Sequence, residues 1–282
     1  MKNTYRELIE QTYYFPQEGF DLKDGYLSFN DVDLKSLINK YGTPFRLYYL
    51  PKIREQIKNA RGYFQKAFDK HHYQGNYEFC YCTKCNHFSH VIRTAMKENV
   101  SLETSSAFDI DLIERLHDNG RLDLDKYIVH NGYKTDDYIQ KIGQLMNHGF
   151  NNTITVLDSA KEIPKLEALN VEGPIKIGLR VSIEEEPQAA YYTSRLGINK
   201  REIMDLVKEK ILDNPKFELV MVHFFVDSGI GDNLYYWGEF QKGLNLFTQI
   251  KKIAPTLNAL NIGGGFPIRN SLGFAYDHEY IV

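Results

Sequence analysis

The chain has 282 residues, 43% hydrophobic and 25% charged, which is enough apolar side chain for one large core and too much for a disordered chain. Its formal net charge of -3 offers no basic field to a phosphodiester backbone, so nucleic acid is excluded as an expected partner. The start, Met1-Lys2-Asn3-Thr4-Tyr5-Arg6-Glu7-Leu8, is too polar for a signal peptide, and no apolar run approaches the roughly 20 residues that span a bilayer, so no membrane and a cytoplasmic location are expected.

Residues 1–60 read as an N-terminal extension and residues 61–282 as an α/β barrel domain. Within the extension, Thr43-Pro44-Phe45-Arg46-Leu47-Tyr48-Tyr49-Leu50 alternates like a strand, and Ile53 to Lys70 reads as a helix leading into the barrel. From Tyr77 onward, short apolar runs alternate with amphipathic stretches at the roughly 30-residue spacing of βα units. Seven strands are expected, beginning near Tyr77, Ser101, Tyr127, Thr153, Ile175, Glu218 and Leu257. Helices are expected at His87 to Asn99, Ala107 to Asn119, Thr135 to His148, Ser159 to Ala168 and Arg201 to Leu212. Asp158-Ser159 and Thr135-Asp136-Asp137 have the composition of amino-terminal caps. Only 16 residues follow Phe266, and Tyr276 to Val282 has room to start a helix but not to add an eighth strand. The expectation is therefore a (β/α)8-type barrel, incomplete at its C-terminal end, in a chain that is the front part of something longer.

Two strand exits carry chemistry. Lys84, in Tyr81-Cys82-Thr83-Lys84-Cys85-Asn86, follows the first strand, where partial desolvation or a nearby cation turns an amine into an imine-forming nucleophile. Gly263, Gly264 and Gly265, in Asn261-Ile262-Gly263-Gly264-Gly265-Phe266, follow the seventh, and without Cβ atoms their amides can approach an anion as a concave nest of donors. Alone, either motif is weak, since a lysine after a buried strand is most often a solvated cap. Together they point to a pyridoxal phosphate enzyme. Cys80, Cys82 and Cys85 invite a zinc reading, but no fourth ligand has suitable spacing and His87 is a speculative choice. Buried thiols in a reducing compartment fit better, and no metal is expected.

These motifs resemble the fold-type III pyridoxal phosphate decarboxylases, which act on basic amino acids such as arginine, ornithine and diaminopimelate. In that family a tyrosine, small residue, x, lysine, small residue, asparagine motif supplies the cofactor-linking lysine, and Lys84-Cys85-Asn86 matches it. Glu103-Thr104-Ser105-Ser106-Ala107 matches the acidic second-strand exit, and Ile128 to Lys134 resembles the third. Leu179-Arg180-Val181 matches a fifth-strand motif whose arginine lies by the cofactor. Ser194-Arg195-Leu196-Gly197-Ile198 resembles a further signature, and Gly263-Gly264-Gly265-Phe266 the phosphate loop. In the sixth strand the family places histidine, x, glycine, serine, with the histidine stacked on the cofactor ring, where this chain has Phe225-Val226-Asp227-Ser228. Phe225 can stack but cannot hydrogen-bond, and His223 lies one pleat deeper on the same side. The resemblance is strongest to a bacterial branch labelled arginine decarboxylase.

The resemblance implies pyridoxal 5'-phosphate held by Lys84, Glu103, Arg180, Phe225, Ser228, Gly263, Gly264 and Gly265, with Lys84 catalytic. It implies a small-molecule amino acid substrate, arginine decarboxylated to agmatine, with diaminopimelate or ornithine as the alternative, and a homodimer in the full-length form. Family members also carry a glutamate that pairs with the cofactor's ring nitrogen and a β-barrel domain, neither of which is read in these residues. Loss of such an electrostatic partner typically costs a few kcal/mol, so impaired activity is expected of this chain by itself. Read without the resemblance, Glu103 fits a solvated cap, Arg180 an internal ion pair, His223 a satisfied core histidine, Ser228 a turn and Glu184-Glu185-Glu186 a solvated loop. A non-catalytic relative that binds cofactor or a partner chain, and a one-domain cofactor carrier or racemase, are the other classes these residues allow.

Overall fold

The structure, a computed structural model, describes residues 19–183, 196–226, 233–267 and 277–282. Their contacts divide into two compact units, Met1–Gly75 with Phe266–Val282, and Asn76–Gly265.

The first unit opens with an antiparallel sheet of β1 (Phe20–Lys23), β2 (Tyr26–Phe29) and β3 (Val32–Asp33). Both turns are two residues long with positive φ throughout, at Asp24 and Gly25 and at Asn30 and Asp31, the geometry that matches the natural twist of a hairpin. Asp33 caps α1 (Leu34–Tyr41) by accepting the Lys35 amide at 2.9 Å. Residues 43–49 form no strand, contrary to the alternation of Thr43 to Leu50, and Leu50 already begins α2 (Leu50–His71). An alternating pattern gives a strand only where a ladder partner exists, and Pro51 instead presets the first helical turn.

The second unit is an open parallel sheet of seven strands with helices on one face. Its strands are β4 (Cys80–Cys82), β5 (Ser101–Thr104), β6 (Ile128–His130), β7 (Thr153–Leu157), β8 (Ile175–Arg180), β9 (Phe217–His223) and β10 (Ala259–Asn261), each hydrogen-bonded to the next in chain order. All seven expected strands are present, forming an incomplete TIM-like barrel with β4 and β10 at its edges. The expected helices appear as α3 (Ser89–Met96), α4 (Ala107–Asp118), α5 (Asp136–Asn147), α6 (Ile163–Glu167) and α7 (Lys200–Leu206). The fourth is shorter than the periodicity of Ser159 to Ala168 implies, because a 3-10 turn at Ala160–Glu162 precedes Pro164. α8 (Asn233–Lys251) is an addition to the expectation, and α9 (His278–Ile281) fills the helical start foreseen near the end of the chain.

Alternation along the strands builds two layers of core. Leu102, Ile128, Leu157, Ile177, Leu179 and Val222 face the helices, meeting residues such as Ile113, Ile142, Ile203 and Ile250. Val129, Ile154, Val156, Val220 and Met221 fill the opposite, interior face. A bulge at Ile177/Gly178 turns both Val220 and Met221 inward, and Gly178 leaves the room, since a Cβ there would lie 3.2 Å from that of Met221. No helix among the described residues is long and apolar enough to cross a membrane.

Candidate functional site

Interior parity, carried one step past the apolar layer, sets the residues at the strand exits. Cys82, Asn131, Asp158, His223 and Asn261 stand two positions after Cys80, Val129, Val156, Met221 and Ala259, all members or neighbours of the interior cluster. Glu103 pairs in register with Cys82, and Arg180 with His223. Polar side chains therefore converge above the apolar floor, at the C-terminal ends of the strands where barrel sites form.

Glu103, Asn131, His223 and Asn261 close a hydrogen-bonded ring. Asn131 Nδ2 donates to Glu103 Oε1 at 3.2 Å and to His223 Nε2 at 3.0 Å. His223 Nδ1 donates to the Asn261 carbonyl at 3.2 Å, and Asn261 Nδ2 reaches Glu103 Oε2 at 3.5 Å. The carbonyl accepts only, which fixes the proton on Nδ1 and leaves Nε2 as the acceptor. Burial holds the His223 imidazole neutral, with Glu103 opposing and Arg180 reinforcing the downward shift. His223 is thus an interior histidine satisfied at both nitrogens, and Glu103 is a partly buried acceptor, not a solvated cap.

Lys84 lies in the 3-10 turn Thr83–Cys85, exposed, with Nζ 5.7 Å from the centre of the Phe225 ring. The Arg180 guanidinium lies 6.0 Å from the same ring and donates to Asp158 Oδ1 at 3.3 Å. Two cations thus flank one aromatic ring, a favourable use of its quadrupole. Asp158, composed like a cap, serves instead as the arginine's buried partner, and Ser159 caps the following turn. Ser228, Ser194, Arg195 and Glu184-Glu185-Glu186 lie outside the described residues.

Behind the exits, Lys134 and Glu162 form a buried ion pair that sequence reading passed over. Lys134 Nζ donates to the carbonyls of Gly132 and Val156 and to Glu162 Oε2, one acceptor for each proton. Glu162 also accepts the amides of Lys134 at 3.0 Å and Asp158 at 3.1 Å. Burial pushes the ammonium toward neutrality, and the carboxylates of Glu162 and Asp158 oppose that. On the neighbouring exits, Asp109 accepts from Ser105, Ser106 and His87, fixing the turn after β5. Burial alone would raise the Asp109 carboxyl, but these donors bring it below the ordinary aspartate range. His87, the speculative zinc ligand, is therefore committed to Asp109, and no metal-sized group of His, Cys, Asp or Glu occurs among the described residues.

The glycine run is engaged at its first residue and exposed at the next two. The Gly263 amide is taken by Asn261 Oδ1 at 2.9 Å, whereas Gly264 and Gly265 are exposed. Gly263 has φ +72, and a Cβ there would meet Phe225 Cδ2 at 2.8 Å and the Phe224 carbonyl at 3.0 Å. Gly264 has nothing within 4 Å of its Cβ position. Gly263→Ala is therefore expected to destabilise the chain by about 1–2 kcal/mol and displace Phe225, while Gly264→Ala stays near neutral in denaturant unfolding.

His130, on the helix side of β6, predicts acid sensitivity. It is fully buried, with Nδ1 at 2.6 Å from Thr104 Oγ1 and Nε2 without a partner among the described residues. Burial, aided by Lys134, holds it down to about 3. The unfolded chain takes up this proton near pH 6.5 and the folded chain does not, so stability is lost as pH falls from about 6.5 toward 3. Between pH 7 and 5 the loss from this group is about 2 kcal/mol, and His130→Gln should flatten the pH dependence of unfolding by that amount.

Residues 52–275 match the family described as pyridoxal-dependent decarboxylase, pyridoxal binding domain. The chain belongs to that family. The biosynthetic arginine decarboxylase of Tolumonas auensis is 25% identical over 254 residues, covering 84% of this chain and 39% of that one. Among solved structures, the biosynthetic arginine decarboxylase of Campylobacter jejuni matches 94% of this chain and 46% of its own, at 21% identity and TM-score 0.70. The diaminopimelate decarboxylase of M. jannaschii matches 95% of this chain and 62% of its own, at 20% identity and TM-score 0.73. The chain thus spans between 39% and 62% of the length of these relatives, less than two thirds of each. At such identities the fold is shared across relatives named for different substrates.

Proposed function

We propose that this chain is the cofactor-binding part of a pyridoxal phosphate-dependent amino acid decarboxylase acting on arginine, cytoplasmic and dimeric in its full-length form. The carrying observation is the convergence of Lys84 and Arg180 on the Phe225 ring, which itself packs on Gly263. Bound there, pyridoxal phosphate would supply the electron sink for loss of the substrate carboxylate. Lys84 offers the amine for covalent attachment, and its exposure leaves that amine accessible. Phe225 offers an aromatic face, and the amides of the exposed Gly264 and Gly265 offer donors for a phosphate. Arg180 contributes positive charge and is kept in place by Asp158. With both nitrogens engaged, His223 has no proton free to give, so its part is to position Asn131 and Glu103. Arginine as substrate rests on the names of relatives at 22–25% identity.

The test is to titrate pyridoxal phosphate into the purified chain, reduce with borohydride and map the modified peptide, with Lys84→Ala in parallel. A visible absorbance band and an adduct at Lys84, both lost in Lys84→Ala, are expected. A folded chain that gives neither, or an adduct on other lysines alone, would sink the cofactor reading. Carbon dioxide release from arginine, ornithine, lysine and diaminopimelate, measured on the full-length protein, then decides the substrate.

A further inference from the structure

Cys82 and Cys85 bracket Lys84, one 3-10 turn apart, and the proposed chemistry uses neither thiol. Cys82 is the extended residue that caps this turn, at φ -81 and ψ 114, and its thiol is in contact with that of Cys85; a rise of about 2 Å per residue puts the two Cα atoms about 6 Å apart. That is the separation at which disulfides are commonly found. Both cysteines are free thiols; Cys85 is exposed, while Cys82 is half-buried and donates to Glu103 Oε1 at 3.7 Å. Cys80, the remaining cysteine, stands at the other end of β4 from Cys82.

We infer that Cys82 and Cys85 form a thiol–disulfide exchange site, which closes an intramolecular bridge across the Lys84 turn when it meets a small-molecule disulfide such as oxidised glutathione. Exposed Cys85 attacks first as the thiolate: its sulfur bonds to one glutathione sulfur, the glutathione S–S bond breaks, and one glutathione leaves as thiolate. Cys82 then attacks the Cys85 sulfur of the mixed disulfide, passing its proton toward Glu103, and the second glutathione leaves. The two cysteine thiols are oxidised, one glutathione disulfide is reduced to two thiols, and excess reduced thiol reverses the exchange.

The order of attack follows from the surroundings of the two sulfurs. With its proton turned from Glu103 to Cys85, the Cys82 thiol lowers Cys85 to about 6, and Lys84 and His87 add to this against partial burial and the Glu103 carboxylate. The same contact, with burial, pushes Cys82 up, which makes it the resolving thiol. Burial likewise pushes Cys80 up and leaves it inert. Closing the bridge removes the S–H donor to Glu103 and fixes the backbone on both sides of Lys84. The bearing of the bridge on the cofactor rests on the function proposed above; its formation does not.

Equilibrate the whole chain in glutathione buffers of stepped ratio, quench the exchange with acid, unfold the chain and trap every free thiol with iodoacetamide, and map the cysteine peptide by mass spectrometry. In oxidising buffer, loss of two hydrogens from that peptide is expected, with Cys80 alone alkylated, and dithiothreitol should restore full alkylation. Cys82→Ser should instead stop at a glutathione adduct on Cys85. A folded chain that keeps Cys85 alkylatable in oxidising buffer, or that bridges Cys80 in place of Cys85, overturns the inference. Borohydride trapping on the same samples separates the two readings. If the reduced chain captures pyridoxal phosphate at Lys84, oxidation should abolish that capture reversibly, and unchanged capture would overturn the bridge's role at the site. If the reduced chain captures none, the cofactor reading fails while the mass measurement still decides the exchange site.

Discussion

Lys134→Met is expected to lower the unfolding free energy by about 3–5 kcal/mol, the range for stripping one partner from a buried ion pair. The ammonium is wholly buried and its carboxylate partner is 2% exposed, so neither charge has water to fall back on. Glu162→Leu should cost at least as much. It removes the acceptor not only of the ammonium but of the Lys134 and Asp158 amides, and a buried amide without a partner costs about 1–3 kcal/mol. The double variant Lys134→Met with Glu162→Leu should recover part of the loss, because no unpaired charge remains, but not all, because the two amides stay unsatisfied. Denaturant unfolding of the four chains closes the cycle. If the single variants lose less than about 1 kcal/mol, the pair is not held dry. Because Glu162 grips the amide of Asp158, whose carboxylate holds Arg180, these variants should also loosen the arginine at the site.

Glu103→Ala is expected to have the second large effect, on site and stability together. The change leaves Asn131 Nδ2, Asn261 Nδ2 and the Cys82 thiol without their shared acceptor, a loss of about 1–3 kcal/mol. His223 then loses the fixed partner at Nε2, and pyridoxal phosphate should bind about tenfold more weakly, equivalent to about 1.4 kcal/mol. Glu103→Gln separates shape from charge: it keeps one acceptor oxygen and turns the other group into a donor that faces a donor. A Gln variant that binds cofactor as well as the parent chain would show that the carboxylate charge has no role there.

Much of the barrel was legible because its signals are local. Apolar runs such as Thr153 to Leu157 and Ile175 to Arg180, bounded by turn residues, mark strands whatever they pack against. The hairpins in the first unit were also written locally, in Asp24-Gly25 and Asn30-Asp31, but strands of four residues or fewer, half exposed, carry too little alternation to stand out. α8 hid for a different reason. Its apolar residues are spread around the helix, so that Leu234 is 85% and Trp237 45% exposed while Tyr236, Leu246 and Ile250 are buried, and no single apolar stripe announces the period. Thr43 to Leu50 erred in the other direction, since alternation is necessary for a half-buried strand but does not supply a ladder partner.

By itself the sequence determined the count and order of the seven strands, the lysine at one exit and the glycines at another, because each depends on residues close together in the chain. Only the tertiary structure decided what those exits do to one another. Glu103, His223 and Asn261 come from three strands, Asn131 from the exit of a fourth, up to 158 positions apart, and hydrogen bonds among them exist only because the sheet curves β10 back toward β5. Asn131 and Asn261 stood within quoted motifs without a role, and Asp158 resembled a cap until Arg180 was placed beside it. A side chain's local pattern says which face it takes; its partner, and therefore its charge state, is set by whatever the fold brings within about 3 Å.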